Sequence, residues 1–170
     1  MQSAALPTTV GTPRIIAHRG SNEYLPEQTL KAYVRAIAEG ADALECDVRL
    51  TADSHLVCVH DRRVDRTSNG RGPVSTLELA TLQGLDFGSW RQAHSGEPEM
   101  PEVDHERDML LTLRRLIDTV LSCGREVGLA IANKRTRRYA GSVERELATV
   151  HGEMRHERAD GHASPDGDVQ

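Results

Sequence analysis

Two carboxylates and two histidines stand where their types and spacing could do chemistry. Glu45 and Asp47 lie two apart in the run Ala43 to Leu50, which alternates strictly: Leu44, Cys46, Val48 and Leu50 take one face and Glu45, Asp47 and Arg49 the other. Carboxylates so spaced sit about 7 Å apart along a strand. They can hold a hard divalent cation such as Mg²⁺ or Ca²⁺, with water and a phosphate oxygen completing its shell. A solvated face explains the pair equally well; against it, a strand in a parallel α/β sheet is covered on both sides, so inward charges need a reason. His18 and His60 each close a short apolar run, IIAH and LVCVH, where a ring nitrogen can face a pocket and move protons near neutral pH. A lone histidine at a strand end is more often a hydrogen-bonded structural residue, and either one alone is weak ground. The other six histidines (His55, His94, His105, His151, His156 and His162) lie in turns or polar stretches and receive only the structural reading.

The elements that must position these groups follow from patterning. Arg14 to Ala17 reads as a buried strand, and Pro26-Glu27-Gln28-Thr29 opens an amphipathic helix ending near Gly40. The four-residue turn TADS after the Ala43–Leu50 strand is too short for a helical crossover. HLVCVHD is therefore expected to return antiparallel and bring His60 back toward the strand start. Ser75 with Glu78 has the spacing of a capping box for a short helix through Leu82. The 18 residues from Arg91 to Asp108 hold eight charges and two prolines and read as a solvated loop. Leu113, Leu116, Ile117, Val120 and Leu121 make the stripe of a helix packed on a sheet, ending at Gly124. Val127 to Ile131 reads as a strand and about Ser142 to Val150 as a helix. Strands alternating with helices give an α/β layout with catalytic groups at strand ends.

Composition removes several classes. With 26 acidic and 21 basic residues and a net charge of −5, no basic face serves a nucleic-acid backbone and no polybasic segment serves as a membrane anchor. The three cysteines, Cys46, Cys58 and Cys123, lack CxxC spacing and read as reduced core residues. The opening residues have no signal-peptide pattern and no apolar run reaches membrane length, so a cytoplasmic location is expected. The expected organisation is a disordered start over residues 1–13, one domain over 14–150 and a disordered polar tail over 151–170.

Three stretches in order, IIAHRGSNEYLPEQT, LECDVRLTADSHLVCVHDRRVDRTSNGRG and STLELATLQGLDFGSW, closely resemble the amino-terminal half of the glycerophosphodiester phosphodiesterase family. MLLTLRRLIDTVL and LAIANKRTRRYAGSVERELATV continue the resemblance more weakly. It implies a metal-dependent enzyme on a TIM-type β/α barrel, cleaving glycerophosphodiesters to glycerol 3-phosphate and an alcohol with Mg²⁺ or Ca²⁺. By motif position it implies His18 and His60 as the acid/base pair, Glu45 and Asp47 as metal ligands, and Arg19 and Lys134 as cations for the phosphate. An arginine fork beside a proton-transferring histidine suits a phosphodiester, a poor electrophile until its charge is offset. Two departures stand out. The family's third ligand carboxylate belongs two residues before the lysine, where this chain has Ala132 in IANK. A closed eight-stranded barrel also takes about 250 residues, whereas only four strands can be placed here, so a partial, truncated barrel is expected. Such a barrel exposes strand edges that favour self-association. The expected small-molecule partner is a glycerophosphodiester. The alternative reading is a catalytically impaired remnant acting at most as a binding or interaction fragment.

Overall fold

The computed structural model describes residues 13–91 and 109–134, together with positions 145 and 148. Most of the expected charged loop, the tail over 151–170, the start before residue 13 and most of the expected helix over 142–150 lie outside the described residues.

The sheet is organised by β2 (Ala43–Leu50), whose bounds match the alternating run. β1 (Ile16–His18) runs parallel to its first half, with His18 opposite Glu45. β3 (Leu56–Cys58) runs antiparallel to its last residues, with Cys58 opposite Val48, as the short turn requires. β4 (Gly128–Asn133) runs parallel to β2 from Ala43 opposite Gly128 to Val48 opposite Asn133. Because β4 shares β2 residues with both β1 and β3, those two must lie end to end along one edge of β2 while β4 takes the other. The carboxyl end of β1 and the exit from β3 therefore meet: Arg19 N donates to Glu45 O (3.1 Å) and Val59 N to Asp47 O (3.0 Å).

The apolar face of β2 is the core. Leu44, Cys46 and Val48 are fully buried against Tyr33 and Ala36 of α1 (Leu30–Ala38) and Leu113, Leu116 and Ile117 of the later helix Leu113–Ser122. Each large side chain so buried contributes about 1.5–3 kcal/mol. Both helices start on a threonine cap: Thr29 Oγ1 accepts from Ala32 N (3.3 Å) and Thr112 Oγ1 from Arg115 N (3.2 Å). A second apolar cluster, including Val57, Val64, Val74, Leu82 and Phe87, supports the excursion after β3. That excursion holds a 3₁₀ turn (Val74–Thr76) and α2 (Leu79–Gln83), so the helix Leu113–Ser122 is α3.

Four expectations need correction. The first strand spans Ile16–His18 and is not buried: Ile16, and Ile15 just before it, are exposed, because β1 pairs only with β2 among the described residues. The first helix begins at Leu30, not at Pro26, because Gln28 takes a left-handed backbone (φ 63°) and turns its side chain inward. Ser75 does not cap α2; it sits inside the 3₁₀ turn, and Glu78 precedes the helix without a side-chain cap bond. Cys46 and Cys58 are free and buried, but Cys123 is only half-buried, at the end of α3.

The sheet is open. Among the described residues β4 bonds only to β2, and the outer strands carry exposed Ile16 and Ile131, with Ile15 exposed just before β1.

Candidate active site

The loop between β1 and α1 folds tightly over the end of the sheet, and its backbone explains how. Gly20 has φ +81°, and a Cβ there would lie 2.8 Å from the carbonyl carbon and Cβ of Ala32, so a side chain is excluded twice over. Arg19 and Gln28 also take left-handed backbones (φ 58° and 63°). Gln28 N donates to Arg19 O at 3.1 Å, which closes the loop and directs both side chains over the polar face of β2.

Asp47 is the centre. Only 1% exposed, its carboxylate receives Arg19 Nε at 3.0 Å and Gln28 Nε2 at 2.9 Å on Oδ2, and Lys134 Nζ at 2.9 Å on Oδ1. Both ionic contacts are close approaches rather than well-aligned hydrogen bonds. A charge buried this deeply requires such compensation. Tyr33 orients Gln28: its one hydroxyl proton donates to Gln28 Oε1 (2.7 Å), with Glu45 O a secondary acceptor at 3.1 Å, leaving the amide nitrogen for Asp47. Burial, the largest influence, raises the Tyr33 pKa and keeps that hydroxyl a donor.

Glu45, on the same face, accepts Arg19 N at 3.3 Å and lies 3.9 Å from His18 Nε2. His18 is 62% exposed at the rim. His60 lines a cleft with Glu27, Gln28, Thr67 and Phe87. Its Nδ1 lies 2.7 Å from Asp61, and Arg49 donates to its carbonyl through Nε (3.0 Å) and Nη2 (2.6 Å). Arg49 Nη1 reaches Lys134 O at 3.4 Å, so one guanidinium ties the exit of β3 to the end of β4. Burial, the largest influence on Arg49, lowers its pKa. Histidines, buried carboxylate and paired cations thus occupy one end of the sheet. Residues 18–159 match the model of the Glycerophosphoryl diester phosphodiesterase family. The chain belongs to this family.

Its similarities are to sequences and structures about twice as long. Probable glycerophosphodiester phosphodiesterase 1 of Mycobacterium tuberculosis is 48% identical over 140 residues, covering 82% of this chain and 49% of its own. Glycerophosphodiester phosphodiesterase of Caldanaerobacter subterraneus is 40% identical over 126 residues, covering 71% and 52%. A crystal structure of glycerophosphodiester phosphodiesterase from Agrobacterium tumefaciens superposes with TM-score 0.63 at 28% identity, over 82% of this chain and 54% of that one. An Oleispira antarctica phosphodiesterase, in complex with the product sn-glycerol-3-phosphate, superposes with TM-score 0.67 at 28% identity, over 81% and 51%. The chain spans about half the length of the relatives it matches, and its open α/β sheet corresponds to about half of the family's barrel.

Of the six positions singled out from the sequence of this phosphodiesterase-family domain, Arg19, Asp47 and Lys134 are in direct contact. Glu45 joins them through Arg19 N, and His18 faces Glu45. The His60 ring connects through Asp61, Arg66 and Glu27, which bonds Arg19 at 3.3 Å, and its carbonyl connects through Arg49 to Lys134 O. The sequence reading did not single out Glu27, Gln28, Arg49, Asp61 or Arg66. One signal was available: Thr29 is a preferred N-cap, which places Glu27 and Gln28 outside the helix and free to turn inward.

The residues present do not fit the divalent cation expected of the family. Asp47 already receives two cations and an amide, and the one β4 residue directly opposite it is Ala132, which has no oxygen in its side chain. Among the described residues no group of three or more His, Cys, Asp or Glu is placed to hold a metal. As arranged, Glu45 and Asp47 do not make a cation site. No helix among the described residues is long and apolar enough to cross a membrane.

Proposed function

We propose that the chain carries the phosphate-binding and proton-transfer half of an enzyme that hydrolyses glycerophosphodiesters to sn-glycerol 3-phosphate and an alcohol. The observation that carries this reading is the convergence of Arg19 and Lys134, from opposite edges of the sheet, on the buried Asp47. Arg19, shared between Asp47 and Glu27, and Lys134 bring two cationic groups to this corner, and a phosphodiester must have its charge offset before a nucleophile can approach phosphorus. Arg19 and Lys134 bind the phosphoryl oxygens. Of the histidines, one removes the proton from the substrate's glycerol hydroxyl as it attacks phosphorus and the other protonates the departing alcohol oxygen; water then opens the resulting cyclic phosphate to glycerol 3-phosphate. Glu45 and Asp47, which do not make a cation site as arranged, would ligate Mg²⁺ or Ca²⁺ only with a further oxygen donor and with Asp47 released from Lys134. Support for the ligand class comes from the Oleispira antarctica phosphodiesterase, which holds sn-glycerol-3-phosphate in a structure similar to this one.

Calorimetric titration with sn-glycerol 3-phosphate tests the reading. Binding is expected, weakened at least about tenfold in Arg19→Ala, the loss of about 1.4 kcal/mol; equal affinity in both would overturn it. Turnover of glycerophosphocholine by this chain is expected to fall below the ordinary enzymatic range of about 1 to 1,000 per second, because the open sheet holds the groups without a closed barrel. Turnover within that range, lost in a His18→Ala, His60→Ala double variant, would show that four strands suffice. Ala132 opposite Asp47 favours a second reading: a catalytically impaired domain that retains anion binding alone.

A further inference from the structure

We propose that Asp61, clamped by Arg66, is a positioning residue that fixes His60 with its proton on Nδ1 and leaves Nε2 as the basic nitrogen. The catalytic meaning of this rests on the function proposed above, while the tautomer itself does not.

His60 Nδ1 lies 2.7 Å from Asp61 Oδ1, and Arg66 Nε donates to the other oxygen, Oδ2, at 2.6 Å. The Arg66 hydrogen bond is the largest influence on Asp61 and, with His60, holds its pKa at about 2. An ionised carboxylate can only accept hydrogen bonds. The proton between the two groups therefore belongs to Nδ1, and in the neutral ring the lone pair is on Nε2. The same carboxylate stabilises the imidazolium formed if Nε2 takes up a proton.

Arg66 extends the arrangement beyond this pair. Its Nη1 and Nη2 donate to Glu27 Oε2 and Oε1 at 3.1 and 2.7 Å, and these bonds, Glu27 first, raise its pKa. Glu27 Oε1 also accepts Arg19 Nη1 at 3.3 Å. An unbroken series of charged contacts thus runs from His60 through Asp61, Arg66 and Glu27 to Arg19. The guanidinium of Arg66 also lies over the Trp90 ring, 5.8 Å from its centroid. With Arg49 holding its carbonyl, His60 is fixed at both ring and backbone. His18 differs: it is mostly exposed, and its ion-pair contact with Glu45, at 3.9 Å, is too long for a hydrogen bond. One histidine is oriented before substrate arrives and the other is not.

The test is nitrogen NMR on the chain labelled with [¹⁵N]histidine, held above the ordinary imidazole pKa of about 6.5. Long-range proton–nitrogen correlations separate protonated from unprotonated ring nitrogens, and the His60 signals are those lost in His60→Gln. The expected result is a protonated Nδ1 and an unprotonated Nε2 at His60, shifting toward the mixed tautomers of a free imidazole in Asp61→Ala. A protonated Nε2 in the unaltered chain would overturn the proposal even if Asp61→Ala fails to fold. So would an unchanged His60 pattern in a folded Asp61→Ala. Because the spectrum is read without substrate, a chain without phosphate binding or turnover would count against the proposed function while the tautomer result stood.

Discussion

Replacing Ala132 by glutamate tests whether the missing cation chemistry comes down to one position. Ala132 is opposite Asp47 on the β2–β4 ladder, so its side chain rises from the same face, with the backbones about 4.8 Å apart. Lys134, two residues on and on that same face, lies 2.9 Å from Asp47 Oδ1. A glutamate at 132 competes for this ammonium and returns an Asp47 oxygen to the site. The size of the effect follows from charge. At an effective dielectric of about 20, two unit charges about 4 Å apart attract by about 4 kcal/mol. A divalent ion gains about twice that from the new carboxylate, and drawing Lys134 away from Asp47 costs about one such unit, leaving about 4 kcal/mol. Ordering the glutamate side chain removes up to about 2 kcal/mol. At 1.4 kcal/mol per tenfold, Mg²⁺ or Ca²⁺ should bind roughly 30- to 1,000-fold more tightly. Isothermal titration calorimetry on the unaltered chain, Ala132→Glu and the uncharged control Ala132→Gln measures it. Equal cation affinity in the glutamate and glutamine variants would refute the reasoning, since only charge at that position distinguishes them.

Three other outcomes are expected. Gly20→Ala should lower stability by about 2–5 kcal/mol, the sum of a left-handed backbone and overpacking against the Ala32 carbonyl carbon 2.8 Å away; a urea midpoint within error of the unaltered chain would show that the loop relaxes instead. Gln28→Leu removes a donor from the buried Asp47 carboxylate and should cost about 1.5–3 kcal/mol, read in the same titration. Asp61 is held at a pKa of about 2 against an ordinary 3.8. Because its folded value is the lower one, its contribution is complete above about pH 4 and is lost as pH falls through 2. Discounted for its partial exposure, that contribution is about 1 kcal/mol. Asp61→Asn should flatten the stability-against-pH curve between pH 5 and 2 by that amount, and an unchanged slope would contradict the Arg66 clamp.

Legibility in the sequence differed by element for physical reasons. β2 and α3 were readable to within a residue or two because their apolar positions repeat at strand and helix periods and that face is the buried one. The antiparallel return of β3 followed from a turn too short for anything else. The start of α1 was misplaced because proline and acidic residues favour a first helical turn, whereas the hydrogen bonds of Gln28 to Asp47 and Tyr33 pull the chain out of helical geometry. Asp47 was a candidate from its spacing with Glu45, and Arg19 and Lys134 from the family resemblance, but their mutual contact depends on the β1–β2 and β2–β4 registers, which no local pattern encodes. Arg66 illustrates the limit. It lies in a polar loop, and its importance comes from Glu27, 39 positions away in the chain.

The left-handed backbones at Arg19 and Gln28 are a local strain that their contacts with the buried Asp47 carboxylate offset. Each such conformation costs a residue with a Cβ roughly 1–2 kcal/mol, and glycine would occupy either position without it. Glycine would also strip the guanidinium or the amide from a carboxylate that is only 1% exposed, a loss of about 1.5–3 kcal/mol for the amide alone. Laboratory evolution or sequence optimisation for heat resistance would therefore leave these two positions as they are and find its gains elsewhere in the sheet.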